Sequence, residues 1–278
     1  MYSYSMNRFT DILTHRWLKV PYTLHSHIYH NPEKYRETVI LLPGLGNSSL
    51  SWKEIVSYIP KDTRVIALDL LGFGKSPKPN WAVYNTKTQA RAVMKTILKH
   101  RLQGKIIVVG HSLGGLVAIS LTTMFPMLVK RLILCSPPIY RPKEDGKILP
   151  SKDDRLRELY KIAKTRPDEL KFLAPMAVKL GIVNKTLDIN DKNIKSYLDT
   201  LELSIIKQTA IRDIRRIKIP ITFFHGILDP LVVGGNLKEI AKERENVQYH
   251  SVLASHEVVG EYAKRLGLYL KKLLETSN

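Results

Sequence analysis

The sequence predicts an α/β domain built on a mostly parallel sheet, and three observations predict it. Short, continuously apolar runs rich in β-branched residues recur along the chain. Segments with helical spacing separate them. Gly, Pro or Asp bounds each run. Strands covered on both faces by crossover helices read this way, because no residue of such a strand meets water.

The clear strands are Thr38–Leu42, Arg64–Leu68, Lys105–Val109, Val129–Cys135 and Ile219–His225. Residues 15–30 read as a less regular antiparallel start, 247–253 as a last strand and His256–Glu275 as a closing helix. Helical periods stand out over Ser51–Ile59, Thr86–His100 and Leu113–Phe125. Strands alternating with helices imply a doubly wound arrangement. The alternation stops at Pro137-Pro138 and resumes near Ile217. Residues 139–200 are therefore expected to form a helical cap over the sheet's C-terminal edge, with 1–138 and 201–278 as the core domain. Leu201–Ile217 is expected to return to the core as one helix.

At 278 residues and 44% hydrophobic content, the chain can bury a large core. The N-terminal residues carry no uninterrupted apolar run of the kind a secretory signal needs. No stretch approaches the roughly 18–20 apolar residues of a membrane span. The single cysteine, Cys135, excludes an internal disulfide and fits a reducing, cytoplasmic location. The formal charge of +19 is spread along the chain and accompanies no recognition motif. That argues against specific nucleic-acid binding and leaves weak electrostatic association with anionic surfaces open. No His/Cys/Asp/Glu cluster has metal-ligand spacing and no dinucleotide fingerprint is present, so no cofactor or metal is expected. Oligomeric state is not legible.

Gly110-His111-Ser112-Leu113-Gly114 matches G-x-S-x-G. A strand runs into it and a helix begins directly after it, the strand–turn–helix context that a nucleophile elbow requires. The glycines would let strand and helix pack closely while the Ser112 hydroxyl projects above the sheet. The alternative is a glycine-rich turn with a serine N-cap.

With these motifs in order, the chain resembles the α/β-hydrolase fold family, of the capped type that includes carboxylesterases, lipases and C–C bond hydrolases. The likeness runs from about residue 15 to the C-terminus. It implies the order nucleophile, acid, histidine. The acid would be Asp229, in Gly226-Ile227-Leu228-Asp229 after a late strand. The stretch after Val129–Cys135, where some relatives carry the acid, has no carboxylate before Glu144. The base would be His256, in Ser255-His256-Glu257, where many relatives have Gly before the histidine. His250 is the nearest rival but falls within the last strand, and His111 and His225 read as packing or hydrogen-bonding residues.

The oxyanion hole would take backbone N–H groups from Leu113 and from Leu45, in Pro43-Gly44-Leu45-Gly46. Pro43 stands where relatives frequently have His. Asp69-Leu70-Leu71-Gly72-Phe73-Gly74-Lys75-Ser76 matches a structural segment of the family. A Ser nucleophile argues against dehalogenase and epoxide-hydrolase relatives, which use Asp. The expected activity is hydrolysis of a carboxylic ester of a small acyl substrate through an acyl-enzyme. A C–C bond hydrolase, an acyl-aminopeptidase relative and a non-catalytic ligand receptor remain alternatives. Leu149, Leu159, Phe172, Leu173, Met176, Leu180 and Tyr197 would line an acyl pocket or form the cap's own core.

Overall fold

A computed structural model of the chain describes residues 9–102, 104–140, 161, 164–179 and 183–276. Seven strands form one sheet: β1 (Ser26–His30), β2 (Thr38–Leu42), β3 (Arg64–Leu68), β4 (Ile106–His111), β5 (Val129–Cys135), β6 (Ile221–Gly226) and β7 (Val247–Val252). Their order is β1-β3-β2-β4-β5-β6-β7. β1 pairs antiparallel with β3 and every other pairing is parallel.

The helices are α1 (Lys53–Val56), α2 (Thr86–Lys99), α3 (Leu113–Met124), α4 (Pro167–Lys179), α5 (Ile194–Thr200), α6 (Ala210–Ile214), α7 (Gly234–Glu243) and α8 (Glu261–Glu275). Every residue of β2, β4 and β6 is buried. The pleat divides each strand between two cores. Ile40, Leu42, Val108, Leu132 and Phe223 join α2 and α3 on one face. Val39, Leu41, Val109, Ile133 and Phe224 join Trp52, Ile55 and α8 on the other. This two-sided burial is why the strands read as unbroken apolar runs. Among the described residues no helix is long and apolar enough to cross a membrane.

Three local expectations change. The antiparallel start is shorter, since only Ser26–His30 pairs as a strand while Ile12–Trp17 is a π-helical stretch. The apolar residues there recur every fourth position (Phe9, Leu13, Trp17), a helical period rather than a strand's. Ser51–Ile59 is a 3₁₀ turn over Ser49–Trp52 followed by α1 alone. Leu201–Ile217 is broken into a π-helical stretch, Leu201–Ile206, and α6. The break falls where the Gln208 amide turns inward to donate to the Pro138 carbonyl and Thr209 Oγ1 donates to Asp213 at 2.6 Å. Of the expected cap, residues 141–160, 162, 163 and 180–182 lie outside the described residues, and Leu149, Leu159 and Leu180 with them.

The strand order reverses between β2 and β4. In an open α/β sheet a crevice forms at the carboxyl ends of the strands at such a switch point. Pro43–Asn47 leaves β2 and Ser112 leaves β4 at this place.

Candidate active site

Ser112 is the single residue between β4 and α3. Its backbone has φ 50° and ψ −115°, a conformation that costs a non-glycine residue free energy. Three hydrogen bonds hold it there: its N–H donates to the Cys135 carbonyl at 2.9 Å, and its carbonyl accepts from Gly115 N–H at 3.0 Å and Leu116 N–H at 3.4 Å. The neighbouring glycines are required by space. A Cβ on Gly114 would lie 2.1 Å from the Leu42 carbonyl oxygen, and one on Gly110 would lie 2.5 Å from that of Gly114. Strand, elbow and helix can approach one another only because both are absent.

Asp229 and His256 come together across 27 residues of chain. His256 Nδ1 lies 2.7 Å from Asp229 Oδ2. The other carboxylate oxygen, Oδ1, accepts from Leu231 N–H at 2.8 Å and Val232 N–H at 3.1 Å. Burial pushes the Asp229 carboxyl up, but bonding and charge from His256, with help from Leu231 and Ser136, outweigh it and hold the group at about 2. An ionised carboxylate only accepts, so Nδ1 carries the proton and Nε2 is left as the basic nitrogen. Burial pulls the His256 imidazole down; the bond to Asp229, its charge and that of Glu257 override this and raise it.

His111, the residue before Ser112, ties two parts of the site together. Its Nε2 donates to the His256 carbonyl at 2.9 Å, and the two rings stand 4.8 Å apart. Full burial, reinforced by His256, pushes His111 down to about 3, so it stays neutral. Gly44 packs on the same ring, and a Cβ there would lie 3.0 Å from His111 Nδ1. The loop that carries Pro43 therefore rests on His111. His225 bonds Tyr249 at 3.1 Å and His250 stacks on Phe224, so both have structural partners.

Ser112, His111, His256 and Leu45 line one cavity of about 360 Å³. Its remaining wall is mainly apolar and includes Pro138, Leu170, Leu173, Leu187, Tyr197 and Leu231. Leu113, the other expected oxyanion donor, is fully buried as the first residue of α3. Of the side chains expected to shape an acyl pocket, Leu173 and Tyr197 line the cavity, while Phe172 and Met176 do not. Glu257 faces the cavity too. Burial pushes its carboxyl up, against the pull of His256 and of bonds from Asn184. Glu257 and Ser136 were not singled out by sequence reasoning. Adjacency to His256 was the only available signal for the first, and position after β5 for the second.

Comparison with known proteins identifies the fold. The family model described as the alpha/beta hydrolase fold matches residues 37–259. The chain belongs to the α/β-hydrolase fold family. Among solved structures, this hydrolase-fold chain is similar to a thermophilic esterase from Thermogutta terrifontis, with TM-score 0.71 and 20% identity over 91% of this chain and 93% of that one. An esterase from Exiguobacterium antarcticum gives TM-score 0.75 and 17% identity over 91% and 96%. Identities this low speak for the fold alone. In sequence, probable lysophospholipase BODYGUARD 4 of Arabidopsis thaliana is 36% identical over 115 residues, 41% of this chain and 28% of that protein. Probable lysophospholipase BODYGUARD 3 is 37% identical over 117 residues, 40% and 24% respectively. The chain thus spans about a quarter of the length of these curated relatives.

Proposed function

We propose that this α/β-fold hydrolase cleaves carboxylic esters with Ser112 as nucleophile, His256 as general base and Asp229 as the acid that orients it. The observation that carries this reading is the 2.7 Å contact of His256 Nδ1 with a buried Asp229 carboxylate, in a cavity that also holds the strained Ser112. His256 Nε2 would take the Ser112 hydroxyl proton as Oγ adds to the acyl carbon. The tetrahedral oxyanion would be met by the N–H groups of Leu113 and Leu45. His256 would then protonate the leaving alcohol, and water would release the acid by the same steps in reverse.

The mainly apolar cavity favours an uncharged acyl chain over a charged one. The names of the relatives, probable lysophospholipases, point the same way, toward single-chain lipid esters. A cytoplasmic location is part of the proposal and rests on Cys135, a lone and fully buried thiol.

The test pairs a fluorophosphonate probe with p-nitrophenyl esters of increasing chain length. Wild type should be labelled and should turn over the esters, and Ser112→Ala should do neither. An unlabelled, inactive wild type refutes the hydrolase reading. Equal labelling of Ser112→Ala refutes the choice of nucleophile.

A further inference from the structure

The N-terminal helical stretch over residues 9–17 has two unlike sides. Its inner side is fastened to the domain: the His15 ring stacks on Tyr22 at 3.7 Å, His15 Nδ1 lies 2.6 Å from the Val20 carbonyl oxygen, and Tyr22 Oη donates to Asp11 at 3.2 Å. Its other side shows Phe9, Leu13 and Trp17 at four-residue spacing, continued by Leu18. Trp17 is 73% exposed, and Phe9 and Leu18 are each 66% exposed. Because the inner contacts hold the segment, these apolar side chains are presented to solvent rather than folded away.

Beside it runs α2, whose residues Lys87, Arg91, Lys95 and Lys99 also recur every fourth position, so they share one helix face. The helix contains no acidic residue. The two elements adjoin. Lys95 Nζ donates to the Pro21 carbonyl at 2.8 Å, and a groove of about 150 Å³ is lined by Arg16, Lys19 and Tyr22 from one side and Arg91 and Ala92 from the other. An exposed aromatic and aliphatic ridge and a basic stripe therefore lie on adjoining elements, on a chain of formal charge +19.

We infer that this face docks on an anionic lipid surface. Phe9, Leu13, Trp17 and Leu18 would enter the headgroup boundary while Lys87, Arg91, Lys99, Arg16 and Lys19 meet lipid phosphates. Aromatic and aliphatic side chains on one side of a helical segment, with Lys and Arg alongside, are what an interfacial site requires. The basic groups attract the negative surface over about a Debye length, and burial of the apolar ridge then retains the protein there. A polyanion such as DNA would use the stripe but gain little from the ridge, and this separates the two partners experimentally.

The measurement is cosedimentation of the full chain with vesicles of phosphatidylglycerol and phosphatidylcholine, against phosphatidylcholine alone. It is run on wild type and, to prevent any lipid hydrolysis, on Ser112→Ala. Binding to the anionic vesicles alone, weakened by salt, is expected for both. The triple variant Lys87→Gln, Arg91→Gln, Lys99→Gln should bind on the order of a hundredfold more weakly, about fivefold per charge. Leu13→Ser with Trp17→Ser should weaken vesicle binding while leaving heparin retention unchanged. Circular dichroism of every variant should match wild type and serves as the folding control, and the charge and ridge variants, which keep Ser112, should turn over a soluble ester at the wild-type level. No binding to anionic vesicles overturns the inference. So does vesicle binding that is indifferent to Leu13→Ser with Trp17→Ser, which marks a general polyanion site. Because Ser112→Ala should bind as wild type does, failure of the hydrolase reading leaves this result intact, and the converse holds.

Discussion

Asp229→Asn tests the proposed site at the level of a single proton. Asp229 Oδ1 is held by two backbone donors, Leu231 N–H and Val232 N–H, and Oδ2 faces His256 Nδ1. Asparagine has one acceptor oxygen and one NH₂ donor. Keeping its oxygen against the two N–H groups turns the NH₂ toward His256, so Nδ1 must accept and the imidazole proton moves to Nε2. Turning the amide over would oppose NH₂ to two N–H groups and leave both unpaired, at a cost of at least about 2 kcal/mol. The backbone thus selects the tautomer that cannot act as base toward Ser112, and kcat should fall by about 10⁴.

The same substitution has a stability signature. The carboxyl sits at about 2 in the folded chain against 3.8 for the free side chain, so its ionised form contributes about 2 kcal/mol at neutral pH. A lowered pKa stabilises above 3.8, and that contribution is lost as pH falls through about 2. Urea unfolding should show the variant less stable at pH 7 and the difference closing toward acid. A kcat within tenfold of wild type on p-nitrophenyl esters would refute the tautomer argument and the role of Asp229 with it.

Four further outcomes follow from the geometry. The pH–rate profile should rise through a midpoint above 6.5, because Asp229 and Glu257 raise His256, and Glu257→Gln should move that midpoint down. Gly114→Ala should yield little folded protein by circular dichroism, since its Cβ meets the Leu42 and Pro43 carbonyl oxygens at 2.1 and 2.7 Å and neither is a flexible side chain. His111→Phe should leave the His256 carbonyl unpaired at about 1–3 kcal/mol, measured by urea unfolding, and lower kcat more than it raises KM. Leu173→Trp, at the cavity wall, should depress turnover of long-chain p-nitrophenyl esters while sparing the acetate.

The strands from Thr38 to Cys135 were legible because each is buried on both faces over most of its length, and two-sided burial leaves a local trace, a short apolar run such as Val39–Leu42, Val65–Leu68, Ile106–Val109 or Leu132–Cys135. The elbow at Ser112 was legible for a related reason: close packing of strand on helix admits only glycine at positions 110 and 114, and steric exclusion writes itself into the sequence. Broken or distorted helices left no such trace. The interruption at Gln208 depends on the Pro138 carbonyl, 70 residues away. The helical stretch at 9–17 left no such trace either: Phe9, Leu13 and Trp17 are exposed, so they mark no core.

The sequence by itself determined the α/β class, the strand that delivers Ser112 and the few residues eligible to serve it, because these depend on neighbours within a turn or two. The tertiary structure alone decided which oxygens of Asp229 meet which donors, that His111 supports both the Gly44 loop and the His256 backbone, and that Glu257 faces the cavity. It also decided that the segment carrying the apolar ridge of residues 9–18 adjoins the helix carrying the basic stripe. Each of these is a contact between segments far apart in the chain, and hydrogen bonding, burial and charge act through space, where a pattern read along the sequence has no measure of distance.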